Sequence, residues 1–197
     1  MAFELSDEQQ AFVQAARDFA QGELAPQAAH WDEHEVFPRD AFAKAGELGF
    51  CSLYAPEEIG GLGLPRFDAT LVFEEMAAVD PSTAAFLTIH NMATWMIGTW
   101  GSDTVKEQWG ESLCAGQKLA SYCLTEPGSG SDAASLATTA RRAGDNYVLN
   151  GSTAFISKPS RARAKIRSSW ARLSTAGAKA APSSAMRRLR LVRIRRI

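Results

Sequence analysis

The chain has 197 residues, enough for one domain and part of a second. Hydrophobic residues make up 46% and charged residues 22%, which excludes a wholly disordered chain. The formal net charge of −1 conceals two unlike parts: residues 1–157 hold 22 acids and 8 bases, a formal −14, whereas 158–197 hold 13 Lys and Arg and no acid.

In chain order, Ser6 with Gln9 three residues on forms a capping box, and Phe12, Val13, Ala16, Phe19, Ala20 and Leu24 follow at helical spacing until Pro26. A polar stretch from His30 to Glu35 intervenes. Phe42, Ala45 and Leu48 then mark a short helix ended by Gly49. A Gly/Pro-rich loop runs from Ala55 to Pro65, and Leu71, Val72, Met76 and Val79 predict a helix over 68–79. Asp80-Pro81 supplies an N-cap and a proline at the first helical position. The next helix, about 81–99, is apolar on nearly every side and so belongs at the centre of a helical domain. Ser102 or Asp103 caps one more helix with Val105, Trp109 and Leu113, making five helices in the first 115 residues.

The period then changes. Residues 119–125 are β-like, and Asn150-Gly151 between two strand-like runs predicts a hairpin turn there. Forty residues of strand and loop are too few to close a barrel with its own core. The stretch 84–100 is interrupted by His90, Asn91 and threonines, so no transmembrane helix is expected. Cys51, Cys114 and Cys123 lack any Cys-x-x-Cys spacing and read as buried thiols in a reducing compartment. The acidic N-terminus has the pattern of neither a secretory signal nor a transit peptide, which gives an expectation of a cytoplasmic protein.

The densest candidate for chemistry is Tyr122-Cys-Leu-Thr-Glu-Pro-Gly-Ser-Gly-Ser-Asp132. Gly128 and Gly130 free backbone N–H groups to point at one place, and Thr125, Ser129 and Ser131 add hydroxyls, an array suited to a flat polar ring or a phosphate. An ordinary strand-to-loop turn explains the same composition. Gly128-Ser-Gly-Ser-Asp-Ala133 also fits a relaxed dinucleotide fingerprint with Asp145 as a ribose contact, but no apolar-faced helix follows. Neither Ser129 nor Ser131 has a nucleophile-elbow context, and no histidine follows them. His30 and His34 lie one helical turn apart among acids and read as a solvated face rather than a metal site, and His90 reads as a hydrogen-bonded core histidine.

Three motifs together carry a resemblance. Tyr122 to Asp132, then Leu149-Asn-Gly-Ser-Thr-Ala-Phe-Ile-Ser157, and earlier Pro56-Glu-Glu-Ile-Gly-Gly-Leu-Gly-Leu64, are similar to the acyl-CoA dehydrogenases in the expected order over 1–157. Within that family the residues around His90-Asn91 and Tyr122 to Thr125 resemble the isobutyryl-CoA and short branched-chain members. The resemblance implies an α+β fold class: an all-α N-terminal helical domain (1–117), then the start of a β-barrel-like middle domain (118–157), with the C-terminal helical domain missing. It implies FAD as cofactor, an acyl-CoA substrate, electron-transferring flavoprotein as electron acceptor and a homotetramer, in a bacterial cytoplasm or mitochondrial matrix. The implied reaction is α,β-dehydrogenation, in which a glutamate takes the α-proton and the β-hydrogen leaves as hydride to the flavin.

Carried over by position, Tyr122, Cys123, Leu124, Thr125, Gly130, Ser131, Phe155, Ile156 and Ser157 would hold the cofactor, with Ser131 also meeting the substrate. Leu124 and Thr125 would bond the flavin's pyrimidine end, and Phe155 would lie against the isoalloxazine. Without the motif, Phe155 reads as a core aromatic on a strand. Residues 158–197 depart from the family. Their switch to Arg, Ala and Ser reads as an out-of-frame product, a disordered basic tail without the catalytic glutamate and with no metal site. The competing reading is a helical module whose polybasic tail binds nucleic acid or anionic membrane. Trp170 as the tail's lone aromatic counts against base stacking there, so neither nucleic acid nor membrane is the expected partner.

Overall fold

The first helix begins where the sequence caps it. In the computed structural model, which describes residues 4–143 and 146–157, the Gln9 N–H donates to Ser6 Oγ at 3.2 Å and the Ser6 N–H donates to Gln9 Oε1 at 3.0 Å, opening α1 (Asp7–Phe19). Ala20–Leu24 continues it as one wider π turn before Pro26, which lacks the N–H to extend it. The stretch expected to be merely polar contains a short helix, α2 (Ala28–Glu33), that buries no residue. Of its residues Trp31 alone packs against the core, half-buried, and one apolar contact in six residues leaves no periodic signal. The helix α3 (Arg39–Glu47) buries Ala41, Phe42 and Ala45, and Gly49 turns the chain out of it at φ +78°.

The remaining helices are α4 (Arg66–Ala77), α5 (Pro81–Trp100) and α6 (Asp103–Cys114), so six α-helices occupy the described part of this region instead of five. Asp80 accepts from the N–H groups of Ser82 at 3.0 Å and Thr83 at 3.3 Å, with Pro81 first in the helix, as its sequence predicts. Ser102 occupies the cap position of α6 with extended backbone, though its side chain makes no cap bond.

α1 packs on α4, α4 on α5 and α5 on α6. Between Thr83 and Gly98 only Ala85 is exposed, which accounts for the apolar character of α5 on every side. Phe86 meets the edge of Phe42 with ring centroids 4.9 Å apart, and Phe37 stacks on Phe42 at 5.0 Å. Among the described residues no helix is long and apolar enough to cross a membrane.

Two polar side chains lie at the middle of α5, and both are fully buried and bonded. Asn91 Nδ2 donates to the carbonyls of Phe50 at 2.8 Å and Leu87 at 3.0 Å, and its Oδ1 accepts from the Leu53 N–H at 2.7 Å. His90 Nε2 lies 3.0 Å from the Leu113 carbonyl, while its Nδ1 accepts from the Ala120 N–H at 3.0 Å. That pattern requires a neutral ring with the proton on Nε2, and burial pushes the His90 pKa below its ordinary 6.5. His90 is a core histidine, as read from the sequence.

The Gly/Pro-rich loop is ordered by α5 and α6. Its two limbs bond to each other, Leu62 N–H to Ser52 O at 3.0 Å and Leu64 N–H to Leu53 O at 2.8 Å. A 3-10 turn, Glu57–Ile59, presses Ile59 onto both helices. A Cβ added at Gly98 would meet Ile59 Cδ1 and Pro56 Cδ at 2.7 Å, and one added at Gly110 would meet Ile59 Cβ at 2.7 Å. Glycine at both positions therefore opens the slot that Ile59 fills.

The chain divides after Ala120 into a second unit beginning at Ser121. It contains an antiparallel pair, β1 (Thr139–Ala143) and β2 (Asn146–Asn150), with Thr139 opposite Asn150 and Ala143 opposite Asn146. The hairpin predicted to turn at Asn150-Gly151 is thus displaced: Asn150 ends β2 and Gly151 lies beyond it. Residues 119–125 form no strand, and 152–156 form none either. β propensity needs a neighbouring ladder to become a strand, and among the described residues of this unit the main chain of 121–125 is joined by the bond from the Ala154 N–H to Thr125 O at 2.9 Å and by no ladder. The expected disordered tail over 158–197 and the ribose contact Asp145 lie outside the described residues.

Two outcomes follow for the helical unit. Asn91→Leu strands the buried Phe50 carbonyl and Leu53 N–H, and urea unfolding is expected to show a loss of about 3 kcal/mol at unchanged m-value. The His90 contribution is complete above pH 6.5, the ordinary value of an unfolded histidine, because the native state holds the ring neutral. Below that pH the unfolded state binds the proton first, so stability must fall on acidification, and His90→Gln should flatten that slope.

Candidate functional site

The Tyr122 to Asp132 motif folds as an extended segment running into a tight turn. Glu126 and Ser129 exchange backbone bonds, N–H to O at 2.9 Å one way and 3.0 Å the other, which closes the turn over Pro127 and Gly128. The Glu126 side chain turns inward and is only 9% exposed. Its Oε2 accepts from the Ala137 N–H at 2.7 Å and its Oε1 from the Thr138 N–H at 2.9 Å. Beyond the turn, the Ser129 hydroxyl donates to the Asp132 carbonyl and the Ser135 hydroxyl to Asp132 Oδ2. Gly130, Ser131 and Asp132 remain exposed, and nothing stands within 4 Å of where a Cβ would be at Gly128 or Gly130. Ala133–Ser135 is a single 3-10 turn, so the helix that a dinucleotide fingerprint requires is not formed.

The fold brings this motif beside the second one, some thirty residues later. The Ser121 hydroxyl donates to the Ser157 carbonyl, and the Ala154 N–H donates to the Thr125 carbonyl. Tyr122, Cys123, Leu124, Thr125, Ile156 and Ser157 are all half-buried. Phe155 departs from the core-aromatic reading: it is 97% exposed, and its φ of +53° is in the left-handed region. A bulky residue there is a backbone outlier.

A cleft of about 360 Å³ opens at the turn, lined by Glu126, Gly128, Ser135, Thr138, Asn150 and Gly151 among others. Thr125, Ser131 and Phe155 do not line it, so it is separate from the cluster picked out by sequence. His30 and His34 are exposed, their rings tilted over each other with centroids 4.4 Å apart. No group of three metal-binding side chains occurs among the described residues. That Glu126 serves the turn rather than a reaction is readable from its place before Pro127, but its partners are not, because they are backbone N–H groups eleven and twelve residues away. The Glu-Pro step before a glycine-rich turn was the one available signal.

The cysteines differ in access. Burial pushes the Cys51 thiol up to about 12 and raises Cys114 as well. Cys123 is also raised by burial, yet it is only half-buried.

The helical unit matches the model of the acyl-CoA dehydrogenase N-terminal domain over residues 6–117. The chain is 50% identical over 153 residues to the mitochondrial isobutyryl-CoA dehydrogenase of Dictyostelium discoideum, covering 78% of itself and 37% of that protein. It is 38% identical over 164 residues to the mitochondrial short-chain specific acyl-CoA dehydrogenase of Rattus norvegicus, covering 83% of itself and 40% of that enzyme. The solved structure of an acyl-CoA dehydrogenase complexed with FAD from Bacillus anthracis superimposes with a TM-score of 0.69 at 34% identity, over 75% of this chain and 26% of that one. The helices of residues 6–117 are those of the family's N-terminal domain, and the chain spans about 40% of the length of the curated relatives it matches. The chain belongs to the acyl-CoA dehydrogenase family.

Alkylation of the native protein at pH 8 is expected to reach Cys123 first and to leave Cys51 and Cys114 unmodified until the helical unit unfolds. Peptide mapping of the modified thiols against time checks this order.

Proposed function

We propose that residues 121–157 form one edge of an FAD site in an enzyme that introduces an α,β double bond into a short or branched-chain acyl-CoA. The observation that carries this reading is Phe155, a 97% exposed aromatic held at φ +53° next to a residue hydrogen-bonded to Thr125. Exposing a large ring on a strained backbone gains nothing for folding alone, whereas a flat ligand ring laid on it removes that apolar surface from water. The donor set fits such a ligand: hydroxyls on Thr125, Ser131 and Ser157, with open backbone at Gly130, suit a polar ring edge and a diphosphate.

In this assignment Tyr122, Cys123, Leu124 and Thr125 border the pyrimidine edge. Phe155 and Ile156 support the ring system, Ser157 bonds beside it, and Gly130 and Ser131 reach toward phosphate and substrate. When bound, FAD supplies the hydride acceptor for the β-hydrogen. The chain's residues supply binding and orientation. Residues 1–197 do not, in our reading, supply the base: 158–197 contain no Asp or Glu, and both carboxylate oxygens of Glu126 accept backbone N–H bonds. Removal of an α-proton needs a positioned carboxylate free to accept it. The wider assignment includes electron-transferring flavoprotein as acceptor, assembly as a homotetramer, and a bacterial cytoplasmic or mitochondrial matrix location, with no nucleic-acid or membrane partner.

Titration of the 197-residue chain with FAD is expected to shift the amide signals of Leu124, Thr125, Gly130 and Ser131 saturably but weakly, since one edge encloses little of the ligand. Phe155→Ala should weaken that response by about threefold to tenfold. Amides that stay fixed up to millimolar FAD would remove the site. With isobutyryl-CoA, FAD and an artificial electron acceptor the chain should show no turnover. Turnover would instead place a base within residues 1–197.

A further inference from the structure

The loop over 127–136 has almost nothing apolar to hold it. Residues 127, 128 and 130–135 are exposed, and the only buried residues from 126 to 137 are Glu126 and Ser129, both polar. Leu136 is the one apolar side chain here that is even half-buried, so the ordering of these ten residues must be offset largely by polar contacts. These are concentrated at the base of the loop, where the Glu126 carboxylate takes the consecutive N–H groups of Ala137 and Thr138 just before β1 begins.

We propose that Glu126 is the positioning residue of this loop: its carboxylate clamps the two ends together and thereby fixes the direction in which Gly130 and Ser131 present their backbone. The proposal deepens the flavin-site reading, on which the identity of the loop's ligand rests, but the clamp itself stands on geometry within this unit. A carboxylate is required because it is acceptor-only at both oxygens. Glutamine of the same shape offers one acceptor and turns an NH2 group against the second backbone N–H. Aspartate is one methylene too short to reach both.

The test uses amide hydrogen exchange and amide chemical shifts of the full chain. Glu126→Gln is expected to speed exchange at Ala137 and Thr138 by about tenfold or more and to move the Gly130 and Ser131 signals, leaving the α5 amides unchanged. Ala137→Pro supplies the discriminating background. Leu136 already has φ −60° and ψ 129°, the extended conformation a following proline demands, and the substitution deletes the N–H that the glutamine NH2 would oppose. In that background Glu126→Gln should change Thr138 exchange by less than about twofold, a rescue that simple loss of packing would not produce. Wild-type exchange and shifts in Glu126→Gln alone, or an equal effect in both backgrounds, would overturn the clamp. FAD added to the same samples separates the two readings. A clamp effect without any FAD response keeps the clamp and removes the flavin site, while an FAD response with Glu126→Gln silent does the reverse.

Discussion

A carboxamide at the midpoint of the most apolar helix determines where the chain between residues 50 and 53 runs. Asn91 satisfies one donor and one acceptor of a connection that leaves α3 and enters the glycine-rich loop, and it does so in surroundings where water cannot substitute. The adjacent His90 does the same for the end of α6 and for Ala120. Two successive residues of one helix thus satisfy main-chain groups of connections arriving from both directions. Apolar packing of α4 and α6 specifies only that α5 is covered; these bonds specify the register of what covers it.

The helical unit was legible in the sequence because its signals are local. Ser6 with Gln9, Asp80 with Pro81, and the glycine after α3 act within four residues of themselves, and the structure uses each as expected. The short helix Ala28–Glu33 was not legible, since a single residue packed against the core, the half-buried Trp31, makes no period to detect. The second unit was read less well for a related reason. Residues 119–125 and 152–156 have strand-like composition, but strand formation depends on what lies alongside, and a single bond between Ala154 and Thr125 does not make a ladder. The Asn-Gly step that ordinarily marks a hairpin turn lies at the strand end, where Asn150 pairs with Thr139.

Of the candidate site, composition disclosed the glycines and hydroxyls, and their order disclosed the family. It could not disclose orientation. Phe155 and Glu126 exchange the places a hydropathy argument assigns them: the aromatic faces solvent and the carboxylate is buried. Each inversion is possible only because a backbone feature accommodates it, a left-handed residue in one case and a pair of N–H groups in the other. The N–H pair that holds Glu126 comes from residues eleven and twelve positions away, which is why that inversion becomes visible only in three dimensions.

The fit of Ile59 between Gly98 and Gly110 has an evolutionary corollary. Four positions on three separate elements, Pro56, Ile59, Gly98 and Gly110, share one small volume, so none of them is free to change alone. A methyl group gained on α6 must be matched by volume surrendered at residue 59, and one gained on α5 by volume surrendered at both 56 and 59, so the fitness effects of such substitutions will depend on their order. Among relatives that keep the 56–64 loop, these four sites should therefore drift as a linked set, while the exposed residues of the same loop drift independently.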